Sequence, residues 1–305
     1  MPIHEINLNI TRSTSSISMH ETIPVNKRKS MLIKFSIILS LSIISANLAV
    51  VVLLTYFPNL HYSITVVSLN VTAWIASATG FITVYRYGFH GIHGQSLLFL
   101  TLGIASWSLA DLSLAYGHFV LHFEEEQSLV VSYADLLWLI GYAFLSMHLF
   151  SVLRLVRRSQ IHALTIISVI ILCGLSIVYN IMFSSQFLNP TSGGPLIVGD
   201  TKTGFADLLL SLVYILLDLI FIVPSVIILT ASRRDYFEFI PWMLFSLSLL
   251  TNAIADQGFM QHFIQGVTSE MWIWELFYMT DYLIITGAFF WYNGLYVRGS
   301  HRSFL

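Results

Sequence analysis

Five aspartates lie inside long apolar stretches of this 305-residue sequence, and none of those stretches contains a Lys or Arg. They are Asp111, Asp135, Asp218, Asp256 and Asp281. A carboxylate at the centre of a membrane-spanning helix costs about 3 kcal/mol on insertion scales, so such residues face a bundle interior or a water-filled cavity. Without basic partners they must be protonated, accept hydrogen bonds, or bind a cation. We expect a ligand, proton or ion site; the alternative is that neutral aspartates tie helices together.

Polar or aromatic side chains accompany three of these aspartates at helical spacing. The residues Trp107, Tyr214 and Asn252 precede Asp111, Asp218 and Asp256, each by four positions. Because residues four apart share one face of a helix, each pair should point the same way. We therefore include Trp107, Tyr214 and Asn252 in the candidate ligand-binding or ion-binding set.

Two histidines, His118 and His122, follow Asp111 at intervals that would place all three on one helix face. A pair four residues apart can hold one metal ion, and an acidic run follows at 124–126. The pattern lacks the companion Glu of H-E-x-x-H, so no general base stands in its usual place. Histidines at a water boundary are more often simply solvated. We expect the carboxylates, not the histidines, to form the functional centre.

The composition determines the class of protein. Hydrophobic residues make up 56% and charged residues 10%, with a mean hydropathy of +0.78. Soluble domains carry about 25% charged residues, so this chain cannot cover a water-facing surface. A single cysteine, Cys173, excludes a multi-cysteine zinc or iron–sulfur site, and a net charge of −2 gives no reason to expect nucleic-acid binding. The sequence predicts an all-α polytopic membrane protein in contact with the lipid bilayer.

About eight stretches have the length of about 20 residues that a helix needs to cross a membrane. They are 31–56, 63–85, 96–118, 130–153, 161–183, 204–231, 238–258 and 272–297. Of the 14 Lys and Arg residues, all but Lys202 fall on one side of this arrangement. The positive-inside rule therefore places both termini in the cytoplasm of a multi-pass cell-membrane protein. Residues 1–30 and 298–305 are expected to be short cytoplasmic tails, the first disordered, with no soluble output domain.

The stretches also show an internal repeat. Asp135 and Asp281 each precede a glycine by six residues, and they follow Asp111 and Asp256 by 24 and 25 residues. We therefore expect two parallel four-helix units, 31–153 and 154–297. In this topology the aspartates of the third, fourth, seventh and eighth spans all lie in the outer half of the membrane. That placement predicts a carboxylate-lined cavity that opens outward.

Several of these motifs resemble one known family. They are W-x-x-A-D in the third span, Y-A-D-L-L-W-L-I-G-Y in the fourth, Y-I-L-L-D in the sixth, A-D in the seventh and T-D-Y-L-I-I-T-G in the eighth. The set is similar to the membrane sensory region that precedes diguanylate cyclase, phosphodiesterase and some histidine kinase modules in bacteria. Trp138 stands here for the usual Tyr, and Ala143 and Ile215 stand where Pro is expected. The resemblance implies a stimulus-receiving bundle and carries over no catalytic residue.

Three functions remain open at this point. The first is a sensory or receptor-like module that signals through a separate partner or a homodimer. The second is a transporter or channel for a small cation, proton or polar solute, and the third is an intramembrane metal-dependent hydrolase. No cofactor is predicted apart from a metal ion as an option, and a retinal Schiff base is excluded because the last span has no Lys.

Overall fold

The computed structural model describes residues 25–122, 133–154, 163–188, 201–231, 236–265 and 271–294. Within these residues the chain forms eight α-helices and one short 3-10 turn, Pro58–Leu60. The helices are α1 Val25–Tyr56, α2 His61–Tyr87, α3 Gly91–Phe119, α4 Tyr133–Leu153, α5 Ala163–Leu188, α6 Thr201–Ala231, α7 Tyr236–Gln265 and α8 Trp272–Tyr292. The all-α prediction is confirmed.

Each predicted span corresponds to one helix, and the differences are at the ends. Helix α3 begins five residues before the predicted 96, and α7 continues seven residues past the predicted 258. A helix satisfies its backbone hydrogen bonds internally, so it can continue beyond the apolar stretch into polar sequence. The two tails predicted at 1–30 and 298–305, apart from residues 25–30, lie outside the described residues.

Six of the described helices, α1–α4, α6 and α7, are long and apolar enough to cross a membrane. The chain is therefore a multi-pass membrane protein. On α1 the residues Ile37, Leu41, Ile44 and Leu48 are exposed and recur at helical spacing, which is the pattern of a face in contact with lipid. The described part of α5 contains a shorter apolar stretch, Thr165–Leu175, and α8 is interrupted by Glu275 and Asp281.

The helices pack so that six of them surround one core. Helix α3 lies against α4 and α2, α7 lies against α6 and α8, and α2–α8 and α4–α6 contacts close the arrangement. Glycines let α3 and α4 approach closely: a Cβ atom at Gly141 would overlap the Trp107 indole, and one at Gly103 would overlap Leu145. Small residues at a helix crossing are the usual means of bringing membrane helices together. Here they allow the Trp107 indole of α3 to pack directly against Gly141 of α4.

Candidate functional site

The five aspartates converge at one level of the bundle. Asp111 and Asp256 lie in the carboxyl-terminal halves of α3 and α7, Asp135 lies in the first turn of α4, and Asp281 lies in the middle of α8. Contacts between α3 and α4 and between α7 and α8 join these parts of the helices, as antiparallel neighbours allow. The carboxyl group of Asp218 in α6 lies at the same level, where it accepts a hydrogen bond from the Tyr142 hydroxyl of α4.

Asp111 joins four helices. Its carboxyl group accepts hydrogen bonds from the Tyr282 hydroxyl of α8 at 2.9 Å and from the Trp138 indole nitrogen of α4 at 3.3 Å. Its backbone carbonyl oxygen accepts another at 3.2 Å from the Asn70 amide of α2. The side chain is 5% exposed. Neutral donors from two other helices thus bond this carboxyl group, and a third helix bonds the backbone of the same residue.

Asp218 and Asp256 form a carboxyl pair between α6 and α7. The Tyr142 hydroxyl lies 3.0 Å from Asp218 Oδ1 and also hydrogen-bonds Asp256 Oδ2. The Gln257 amide donates to Asp218 Oδ2 at 2.6 Å, and the Tyr278 hydroxyl donates to Asp256 Oδ1 at 2.5 Å. One hydroxyl group thus contacts both carboxyl groups. Because that hydroxyl has one hydrogen and an ionised carboxylate only accepts hydrogen bonds, one of its two contacts requires a proton on a carboxyl group.

Asp135 belongs to the same constellation through Tyr214 of α6, whose hydroxyl donates to Asp135 Oδ1 at 2.9 Å. The Tyr214 ring lies 5.8 Å from the ring of Tyr142. Both Asp135 and Tyr214 are half-buried, so this side of the constellation is the more accessible one. We call these interlinked side chains the carboxylate network: Asp111, Asp135, Asp218, Asp256, Tyr142, Tyr214, Tyr278 and Tyr282.

Asp281 lies beside this network with different neighbours. It has no exposed surface, and its Oδ1 atom accepts a hydrogen bond from the Ser248 hydroxyl of α7. Asn252 lies one turn further along α7, on the same helix face as Ser248. Asp281 Oδ2 and Asn252 Oδ1 are both buried with no hydrogen-bond partner.

Trp107 has a supporting position in this arrangement. Its indole nitrogen donates to the backbone carbonyl oxygen of Trp138 at 3.1 Å. Its ring lies edge-on to Tyr142 at 5.3 Å, and Tyr142 in turn stacks on Phe221 at 4.7 Å. The predicted binding residue Trp107 therefore fixes the orientation of Tyr142, which contacts the carboxyl pair.

The expected shared face of His118 and His122 is wrong. Helix α3 ends at Phe119, and His122 lies beyond it, exposed and with φ of 55°, so the helical spacing does not continue to this residue. His118 instead hydrogen-bonds the Ser63 hydroxyl at 2.9 Å and lies edge-on to Tyr62. Among the described residues no group of three or more His, Cys, Asp and Glu is placed to hold a metal ion. The acidic run at 124–126 lies outside the described residues, so the histidine metal site stays a prediction.

The predicted outward-opening cavity also stays a prediction, since the carboxyl groups are packed against donors. Asp111, Asp218 and Asp281 are at most 5% exposed, and only Asp135 and Asp256 are half-buried. The arrangement consists of neighbouring groups of hydrogen bonds whose donors and acceptors lie on different helices. Adding a proton or a cation would change which hydroxyl groups donate to which carboxyl oxygens.

Sequence reasoning missed the tyrosines that partner the aspartates. Tyr142, Tyr278 and Tyr282 are not in the predicted set, because tyrosines are common at the membrane surface and their residue type alone does not indicate an interior position. Two signals favoured a buried position. Tyr278 and Tyr282 are four residues apart around Asp281, and Tyr142 follows the close-packing Gly141. A buried tyrosine hydroxyl needs a partner, and a carboxyl group is a suitable one.

Comparison of the chain with protein-family models, with curated proteins and with solved structures finds no match.

Proposed function

We propose that this chain is a membrane sensory module whose carboxylate network changes its hydrogen bonding when it gains or loses a proton or a cation. The observation that supports the proposal is the bonding of Tyr142 to both Asp218 and Asp256, which makes three helices depend on the protonation of one carboxyl pair. The motifs that resemble bacterial membrane sensory regions lie in the same helices. We propose that the signal passes to a separate partner or across a homodimer.

The proposed response follows from hydrogen-bond counting. A tyrosine hydroxyl has one hydrogen, so Tyr142 can donate to only one of its two carboxyl neighbours at a time. The contact to the other is favourable only if that carboxyl group is protonated and donates to the Tyr142 oxygen. Loss of this proton leaves two adjacent negative charges in a medium of low dielectric constant, where their repulsion is strong. Helices α6 and α7 would then move apart or admit a cation.

We further propose that all eight helices span the membrane, with both termini cytoplasmic, as two parallel four-helix units. Helix α2 packs on α3 and α8, and α6 packs on the corresponding helices α7 and α4, which supports the repeat. One contact departs from it. Gly141 faces Trp107 of α3, whereas its counterpart Gly287 faces Leu39 of α1. This difference in the neighbours of Gly141 and Gly287 is expected if the two units arose by duplication and their helix contacts later diverged.

The test uses the Asp256→Asn variant, which keeps the side-chain size and removes ionisation. Trp138 donates to Asp111 within the network, so tryptophan fluorescence of the purified protein should change with pH as the network repacks. We expect this pH-dependent change to disappear in Asp256→Asn and to persist in the control Asp235→Asn, whose position lies outside the predicted spans. An unaltered fluorescence titration in Asp256→Asn would refute the proposal.

Transport of a proton or small cation is the second candidate, favoured by the continuity of the polar groups. Half-buried Asp135 and Asp256 lie next to fully enclosed Asp218, so carboxyl groups lead from a more accessible to a buried position. Chains of Asp, Glu and His are typical of proton pathways. Proton or cation flux into proteoliposomes, abolished by Asp218→Asn, would favour transport over sensing.

A further inference from the structure

The contact between α7 and α8 contains two buried oxygen atoms that nothing satisfies. Asp281 Oδ2 and Asn252 Oδ1 have no hydrogen-bond partner, and their side chains are 0% and 5% exposed. Ser248 bonds Asp281, and Asn252 lies one helical turn from Ser248 on the same face of α7, so both unpartnered atoms lie at this α7–α8 contact. Buried polar atoms are nearly always paired, and each exception calls for an explanation such as a missing ion.

The hydroxyl donor of this location is already used, and the Asn252 amide, the other donor, carries no positive charge. Ser248 has one hydroxyl hydrogen, and it is donated to Asp281 Oδ1. Neither α7 nor α8 contains a Lys or Arg that could supply a positive charge. The site therefore has acceptor oxygens and negative charge, and it lacks a cation.

We infer that Asp281, Ser248 and Asn252 form a binding site for a small monovalent cation, with Na⁺ as the ion to test. Carboxylate, amide and hydroxyl oxygens are hard ligands, which suit alkali and alkaline-earth ions and not soft transition metals. One carboxylate balances one positive charge, and a balanced pair is what a low-dielectric interior tolerates. The ligands come from two helices, so the ion would hold α7 against α8.

The site would give the proposed sensory module a ligand, and in that respect it rests on the proposed function. Ion binding at Asp281 itself requires only the oxygen atoms at this contact. A proton on Asp281 is the competing occupant, because a protonated carboxyl group could donate to Asn252 Oδ1. Dependence on Na⁺ at constant pH separates the two.

The experiment measures thermal unfolding of the full-length protein in detergent micelles, with NaCl replaced by choline chloride at constant ionic strength and pH. An ion that binds only the folded state raises Tm in a saturable way. We expect Tm to rise by about 5 °C when Na⁺ exceeds its Kd by about 100-fold. Equal Tm values in NaCl and choline chloride would overturn the inference.

Two variants locate the ion. Asp281→Asn should abolish the Na⁺-dependent rise in Tm, and Ser248→Ala, which removes one ligand oxygen, should shift the Na⁺ midpoint upward by about tenfold. Ser248→Ala also keeps the test valid if Asp281→Asn does not fold. The matched control is Ser108→Ala, which removes a buried hydroxyl from α3 that bonds Ser77, and it should leave the Na⁺ midpoint unchanged. An unchanged midpoint in Ser248→Ala, or the same shift in the control, would also contradict the site.

The outcomes distinguish this site from the proposed function. One outcome is that Na⁺ does not raise the Tm of the wild-type protein, while its fluorescence still changes with pH and that change is absent in Asp256→Asn. This outcome would refute the cation site and leave the sensory proposal standing. If Na⁺ raises Tm and the fluorescence titration is unaltered in Asp256→Asn, the sensory proposal is refuted and the cation site stands.

Discussion

The two ends of the helical core bury polar groups in different ways. At the end away from the carboxylate network, His148 of α4 is 1% exposed, and its Nδ1 atom lies 2.9 Å from the Ser96 hydroxyl of α3. The rings of Trp242 and Phe245 pack around this histidine. A neutral imidazole and a hydroxyl satisfy each other without any outside species. We call this the histidine end.

The carboxylate network cannot be satisfied in that way. Asp218 and Asp256 adjoin each other and share one hydroxyl group, so their hydrogen bonds are complete only with an additional proton or cation. The histidine end is thus a self-contained support, whereas the network depends on something that comes from outside the protein. This difference is the physical reason for placing the function at the network.

The largest expected effect comes from disturbing the helix crossing that supports the network. In Gly141→Ala the new methyl group would overlap the Trp107 indole, which positions Tyr142. We expect a loss of about 1–3 kcal/mol in the free energy of unfolding, because overpacking forces side chains and backbone to shift. Chemical unfolding in micelles measures it. Gly174→Ala is the control, since a Cβ there meets no neighbouring atom, and an equal loss in both variants would contradict the role of the crossing.

Removing the shared hydroxyl should come next in size. Tyr142→Phe keeps the ring stacked on Phe221 and deletes the hydrogen bonds to Asp218 and Asp256. We expect about 1–2 kcal/mol of destabilisation and loss of the pH-dependent fluorescence change. The control Tyr292→Phe alters a buried tyrosine near the histidine end and should retain the fluorescence change. Retention in Tyr142→Phe would show that this hydroxyl does not link the carboxyl pair to the rest of the bundle.

The histidine end should affect stability alone. Ser96→Ala removes the partner of His148 Nδ1, so we expect about 1 kcal/mol of destabilisation with the pH-dependent fluorescence change unaltered. Unfolding measurements and the fluorescence titration on the same sample provide both readouts. If Ser96→Ala abolished the titration, the proposed separation between the two ends would be wrong.

The smallest effect is expected at the two histidines beyond the network. The double variant His118→Ala, His122→Ala removes one half-buried and one exposed side chain, and we expect at most about 0.5 kcal/mol and an unaltered titration. Loss of the response in this variant, with Asp111→Asn and Asp281→Asn responding normally, would move the functional centre to the histidines.

The sequence predicted the helices well and the site in part. Long apolar stretches directly reflect the thickness of the hydrocarbon core, so all eight helices could be placed from hydropathy. The cost of a carboxylate in a membrane likewise identified Asp111, Asp218 and Asp281 as interior residues, and they are buried. The end of α3 was not predictable in this way, because the continuation to His122 assumed helical geometry past Phe119.

The partners of the aspartates were harder to predict than the aspartates themselves. Tyr282 and Asp111 are 171 residues apart in sequence, and nothing in either local pattern indicates that they meet. Tyrosines are equally common at the membrane surface, so their residue type alone does not distinguish an anchor from a hydrogen-bond donor. The departure at Gly287, which faces α1, likewise depends on helix packing and not on the repeat motif.

The central claim is that the carboxyl pair of Asp218 and Asp256 changes its proton content in the working protein. Infrared difference spectroscopy of the full-length protein in lipid, between acid and alkaline pH, measures this through the C=O stretch of a protonated carboxyl group. We predict a band that disappears on going to alkaline pH together with a tyrosine signal, and that is missing or shifted in Asp256→Asn and Tyr142→Phe. A spectrum without a pH-dependent carboxyl band, or with the same band in both variants, would contradict the account.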